Sequence, residues 1–238
     1  ANLCLRPKVC RYWKGMVIKM EKINGGIALK SSCIERFAPV TKRLRELVES
    51  DAERIIIAID GKCASGKSTL GCYLQKEFDA NLFHMDDFFL QKYQRTSERL
   101  AEVGGNVDYE RFRTEVLEPL LAGQTVMYRA FHCNTLQIGE GVEIFPKRVN
   151  IIEGSYSQHT YFGDIYDLKV FMEIEPEEQL DNIRKRNGEG QLDVFKERWI
   201  PKEESYFKAF QIKQNSDVIV TWKKRTESGH CKIKDLVP

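Results

Sequence analysis

The chain has 238 residues, 42% of them hydrophobic, which is enough to bury a sizeable core within one main α/β domain. Lysine plus arginine (37) nearly balances aspartate plus glutamate (35), and the net charge of +2 gives no basic field that would gather nucleic acid. No apolar run approaches the ~20 residues of a bilayer span, and the first residues lack the apolar core of a secretion signal, so no membrane partner is expected. Seven cysteines, an odd number without a CxxC pair or metal-ligand spacing, read as reduced thiols of a cytoplasmic protein.

Residues 1–51 read as an N-terminal extension, 52–222 as the main domain and 223–238 as a tail. Leu3 to Lys30 mixes basic and β-branched residues around Gly25-Gly26 without a clear period. Its roles stay open between packing on a sheet, covering an edge and mediating association into a homo-oligomer. Pro39 suits a first helical turn, and Val40, Leu44, Leu47 and Val48 share a face, so a helix is predicted over Pro39 to Ser50. Ile55 to Asp60 is a short β-branched run, the pattern of a strand covered on both faces. Further strands are predicted at Leu82 to Met85, Val149 to Ile152, Leu168 to Ile174 and Asp217 to Thr221.

Helical patterns lie between these runs. Leu70, Tyr73, Leu74 and Phe78 follow the first, and Tyr109 to Leu121 carries Phe112, Val116 and Leu120 in register. Strands alternating with helices imply right-handed βαβ units. Thr125 to Phe131 and Gly141 to Phe145 form a β excursion beside the sheet, and Pro176 opens a helix holding Leu180 and Ile183. A polar break at Asn187 to Gly190 precedes a stretch with Leu192, Phe195 and Trp199, which Pro201 is expected to kink or divide.

Gly61-Lys62-Cys63-Ala64-Ser65-Gly66-Lys67-Ser68 matches GxxxxGK[ST], after a predicted strand and before a predicted helix. Glycines let such a loop curl with its N–H groups inward, and the helix N-terminus adds partial positive charge, so a polyphosphate is held by main chain. The candidate nucleotide contacts are Gly61, Ala64, Ser65, Gly66, Lys67, Ser68 and Thr69. Lys67 would reach the β and γ phosphates of ATP, and the Ser68 hydroxyl would supply a ligand to Mg²⁺. Asp86 and Asp87 follow one predicted strand and Glu153 ends another, at the carboxyl edge where ligands of α/β sheets bind. Beside such a loop, Asp86 reads as the group that takes or holds an acceptor's hydroxyl proton, with Asp86 and Glu153 as metal-shell carboxylates.

The succession GKCASGKST, HMDDFF, GGNVDYERF and IIEGSY, in this order over about Ile55 to Val220, resembles the uridine kinase branch of the P-loop kinases. The resemblance implies an α/β P-loop NTPase three-layer fold: a central, mostly parallel five-stranded sheet, a small β excursion and a helical lid. It implies transfer of a γ-phosphoryl group from Mg-ATP to the 5′-OH of a nucleoside such as uridine or cytidine. It places the catalytic base at Asp86, the metal carboxylate at Glu153, the ribose-binding aspartate at Asp108 and a base contact at Tyr128. Arg184 and Arg186 resemble the basic lid that closes over the transferring phosphate, with Arg198 a weaker candidate. The segment Tyr128 to Cys133 and the residues Tyr109-Glu110-Arg111 depart from the family pattern, which leaves other hydroxyl acceptors open: a sugar phosphate, pantothenate or a vitamin riboside. His84 and His132 could face the site, but a lone histidine on a strand more often packs or caps, and both stay outside the catalytic set. A regulatory nucleotide-binding module is disfavoured as a GTPase, because no NKxD motif occurs and EGSY stands where DxxG would.

Overall fold

The structure, a computed structural model, describes residues 20–23, 26–29 and 31–222. The rest of the stretch before residue 31 and the 223–238 tail lie outside the described residues. A short antiparallel pair, β1 (Met20–Ile23) and β2 (Gly26–Leu29), precedes α1 (Ser31–Glu49). This helix starts eight residues before Pro39, which sits inside it rather than at its first turn. An interior proline removes a backbone hydrogen bond and costs about 3 kcal/mol. Cys33 and Phe37, on the same face as Val40 and Leu44, are fully buried, and that burial offsets the loss.

Next come β3 (Ile55–Gly61), α2 (Lys67–Glu77) and β4 (Asn81–His84); Met85, predicted as strand, opens a 3-10 turn over Met85–Phe88 instead. After α3 (Ser97–Ala101), α4 (Tyr109–Phe112) runs through a π-turn at Arg113–Leu117 into α5 (Glu118–Leu121). The β excursion is one ribbon with two antiparallel ladders: β5 (Val126–Tyr128) with a later strand, β8 (Val142–Ile144), and β6 (Phe131–His132) with β7 (Gln137–Ile138). The chain then forms β9 (Val149–Glu153), β10 (Leu168–Ile174), α6 (Pro176–Asn187) and α7 (Glu189–Val194). A second π-turn at Phe195–Trp199 leads into α8 (Ile200–Ala209), and β11 (Val218–Trp222) ends the described chain.

The five long strands pair in the order β11-β10-β3-β9-β4, and every pairing is parallel. Side chains alternate across the sheet, so Ile55, Ile57 and Ile59 face one layer and Ile56 the other. The first layer is α1 and α2, through Phe37, Val40, Leu44, Leu70 and Leu74. The second combines Phe112, Val116 and Leu120 of the α4–α5 helix with Tyr206 and Phe207 of α8. The helix of the N-terminal extension therefore shares the core of the main domain. Pro119 and Pro201 each lie two residues beyond a π-turn. A proline ring clashes with the carbonyl four residues back, and widening the preceding turn relieves that clash without breaking the helix. Pro201 thus displaces the helical path locally and does not divide it.

Candidate active site

At the end of β3 the loop Gly61–Ser68 leaves the sheet where the neighbouring strand is very close. A Cβ on Gly61 would stand 2.2 Å from the Met172 carbonyl oxygen, and its φ of +131° is open only to glycine. Ala64 (φ 59°) and Gly66 (φ 98°) give the loop its curl. Gly66 delivers the chain into α2, whose first residues include Lys67, Ser68 and Thr69. The Lys67 ammonium is buried and donates to the carbonyls of Gly61 (2.6 Å) and Lys62 (2.9 Å). Below the loop, fully buried Asp60 accepts from the amides of Gly61 (2.7 Å) and Gln158 (3.0 Å) and from the Tyr206 hydroxyl (2.8 Å). Burial pushes its carboxyl up to about 6 even so, against the pull of Gln158, Lys67, Tyr206 and Gly61.

The 3-10 turn Met85–Phe88 follows the end of β4 and carries the acidic pair Asp86-Asp87. Asp86 reaches solvent, but from densely surrounded ground. Loss of water there, followed by repulsion from Glu153, raises its carboxyl to about 6; Lys67 opposes the rise, Asp87 adds to it and Arg186 opposes it. Glu153, at the end of β9, is 4% exposed and lies 2.5 Å from His84 Nδ1. Burial works against its charge, but the His84 bond and charge, with Lys67 and Ser68 adding, hold its carboxyl below the usual value. The same pairing outweighs burial at His84 and raises the imidazole from 6.5 to about 9, with Asp87 and Asp86 contributing. His84, kept outside the catalytic set on sequence grounds, is thus the hydrogen-bond partner of Glu153. Its signal was its place at a strand end, immediately before the turn that carries the acidic pair.

Asp87 is buried and accepts from the Tyr128 hydroxyl at 2.7 Å. Tyr128, expected at a base, is 6% exposed, its ring beside Phe83 and Phe88 and its hydroxyl also meeting the backbone of His84. It docks the β ribbon onto the acidic turn. Asp108, expected at a ribose, is 2% exposed and caps α4: it accepts from the Arg111 amide (3.1 Å) and the Gln94 side-chain amide (2.9 Å). Arg186 lies on the exposed last turn of α6, within electrostatic reach of Asp86. Arg184 on the same turn pairs with Asp181 (2.9 Å) and Glu189 (2.6 Å), so its charge is spent within the lid. Arg198 rests over the Trp199 ring, 4.8 Å from its centroid.

The donor set fits a magnesium nucleotide. Ser68, Asp86 and Glu153 offer the hard oxygen ligands magnesium prefers, and the Ser65 hydroxyl is buried in the loop without a hydrogen-bond partner among the described residues. Among the described residues no group of three or more His, Cys, Asp and Glu is arranged to hold a metal.

A parallel five-stranded sheet, a glycine loop opening the helix after its central strand and a helical lid together define the fold of the P-loop NTPase kinases. No family model matches the chain, and no curated protein matches it. Among solved structures, one described as a possible uridine kinase from Bacillus stearothermophilus is similar at 20% identity, over 79% of this chain and 98% of that chain, with a TM-score of 0.59. D-glycerate 3-kinase from Cryptococcus neoformans var. grubii is similar at 16% identity, over 74% of this chain and 88% of that chain, with a TM-score of 0.52. At these identities the likeness shows the shared fold.

Proposed function

We propose that the chain is an ATP-dependent small-molecule kinase that phosphorylates a hydroxyl group, with the 5′-OH of a nucleoside such as uridine or cytidine as the acceptor. One observation supports this reading: the charges of Lys67 at the head of the glycine loop, of Glu153 and of Arg186 all act on the Asp86 carboxyl. Mg-ATP would supply the γ-phosphoryl group and a divalent charge. The chain's own residues do the rest. Backbone amides at the start of α2 and the Lys67 ammonium bind the phosphates, while Ser68 and Glu153 hold the metal side of the cleft. Asp86 accepts the acceptor's hydroxyl proton on its carboxylate, and Arg186 brings positive charge from the lid as negative charge develops. A cytoplasmic location is read from the seven cysteines, which form no CxxC pair and no metal-ligand spacing.

The engagement of Asp108 and Tyr128 favours a second reading, in which the acceptor is another hydroxyl compound, such as a sugar phosphate or pantothenate. Purified protein with Mg-ATP should be offered nucleosides and phosphorylated sugars, with mass spectrometry detecting a product heavier by one phosphoryl group. Lys67→Ala should abolish turnover, and Asp86→Asn should lower kcat by about 10²–10⁴. ATP hydrolysis indifferent to every added acceptor would defeat the kinase reading. Asp108→Ala should raise KM chiefly for ribosides; unchanged riboside kinetics would favour the second acceptor class.

A further inference from the structure

The phosphate loop is held from the lid side by three side chains from two helices. Gln179 Nε2 of α6 donates to the Cys63 carbonyl (3.1 Å), and Asn182 Nδ2 donates to the Ala64 carbonyl (3.2 Å). From α8, Glu203 accepts the Cys63 amide on Oε2 (2.9 Å) and the Ser155 hydroxyl on Oε1 (2.6 Å). One turn further along α8, Tyr206 donates to Asp60 beneath the same loop. These contacts converge on Cys63 and Ala64, and Ala64 is in the left-handed region (φ 59°), a conformation that persists only where its surroundings impose it.

Glu203 is an anomalous choice for such a position. It is 7% exposed and forms no ion pair among the described residues; the nearby Lys62 pairs with Glu204, at 3.5 Å. A buried, unpaired carboxylate loses hydration, and beside a loop that receives anions it also repels the ligand. A well-packed apolar residue there would serve stability better. What Glu203 supplies instead is an acceptor for a loop amide that has no strand or helix partner, joined to the turn after Glu153 through Ser155.

We propose that Glu203 is a positioning residue for nucleotide binding: from α8 it sets the crest of the phosphate loop and fastens that crest to the stems of the lid. The inference rests on reading the loop as a nucleotide cradle and is independent of the acceptor. Calorimetric titration of Mg-ATP into the whole protein tests it, alongside thermal unfolding without ligand. Glu203→Ala should raise the Kd by about tenfold or more, as expected for losing a hydrogen bond to a charged group. Its Tm should move by only a few degrees, because removal of a buried carboxylate without an ion-pair partner opposes the loss of two hydrogen bonds. Glu203→Gln keeps an oxygen for the Cys63 amide, and its NH₂ can donate to the Ser155 hydroxyl, so its Kd should stay within about threefold of the parent.

In steady-state assays Glu203→Ala should raise KM for ATP and leave KM for the acceptor unchanged. A Glu203→Ala protein that binds Mg-ATP like the parent overturns the proposal, and so does a Glu203→Gln protein as weak as the alanine variant. Should Glu203→Ala fail to fold, Ser155→Ala removes one of the two anchors of the same carboxylate and should weaken Mg-ATP binding about threefold; unaltered binding there overturns the proposal as well. A parent protein that does not bind Mg-ATP defeats the kinase reading itself, a result separate from any difference among variants.

Discussion

Two adjacent residues show how the site constrains single positions. Gly61 sits where β3 and β10 are hydrogen-bonded neighbours, and an added Cβ would meet the backbone of Met172 at 2.2 Å, where no side chain can swing aside. Gly61→Ala should therefore cost several kcal/mol of stability or prevent folding, seen as a lowered denaturation midpoint beside the parent. Asp60 makes a prediction about pH. Its carboxyl ionises near 6 in the folded protein against 3.8 ordinarily. A value raised by folding means that the protonated form is favoured in the native state, so the associated stability is full below about pH 3.8 and fades as pH rises through 6. Tyr206→Phe removes a donor that favours the charged form and should extend that decline to higher pH. Tm measured from pH 4 to 8 in both proteins checks it; parallel curves would contradict the assignment to Asp60.

At the scale of elements, what could be read from the sequence followed from periodicity and from glycine. Each of the five parallel strands holds a short β-branched or apolar run, and the glycine loop has a motif spacing with a known backbone shape. The start of α1 was hidden because Pro39 is a strong local stop signal, overridden here by burial of Cys33 and Phe37. Both π-turns were hidden too, since a widened turn leaves no compositional mark beyond the proline after it. The roles of Tyr128 and Asp108 depended on contacts between segments 20 or more positions apart in the case of the ribbon, and on a local cap in the case of α4; neither is visible in residue type. Two variants test these elements. Tyr128→Phe leaves buried Asp87 without its donor and should lower stability by about 1–3 kcal/mol, measured by chemical denaturation. Asp108→Ala removes an N-cap and should cost about 0.5–2 kcal/mol whatever it does to substrate kinetics.

The molecule as a whole is organised around β3, which carries the loop from the middle of the sheet and has cores on both faces. Because α1 contributes Phe37, Val40 and Leu44 to one of these cores, a chain starting at residue 52 should be insoluble or unfolded. Burial of three such side chains is worth about 1.5–3 kcal/mol each, comparable with the 5–15 kcal/mol that holds a typical domain together. Expression of residues 52–238 beside the full chain, followed by size-exclusion chromatography, checks this. The lid has a different tolerance. Its stems grip the loop independently, Gln179 and Asn182 before the exposed Gly188 and Glu203 and Tyr206 after it. On the function proposed above, severing the backbone near Gly188 should yield two pieces that travel together and still retain nucleotide, while phosphoryl transfer fails because Arg186 has lost its tether: one scission would separate holding the donor from using it.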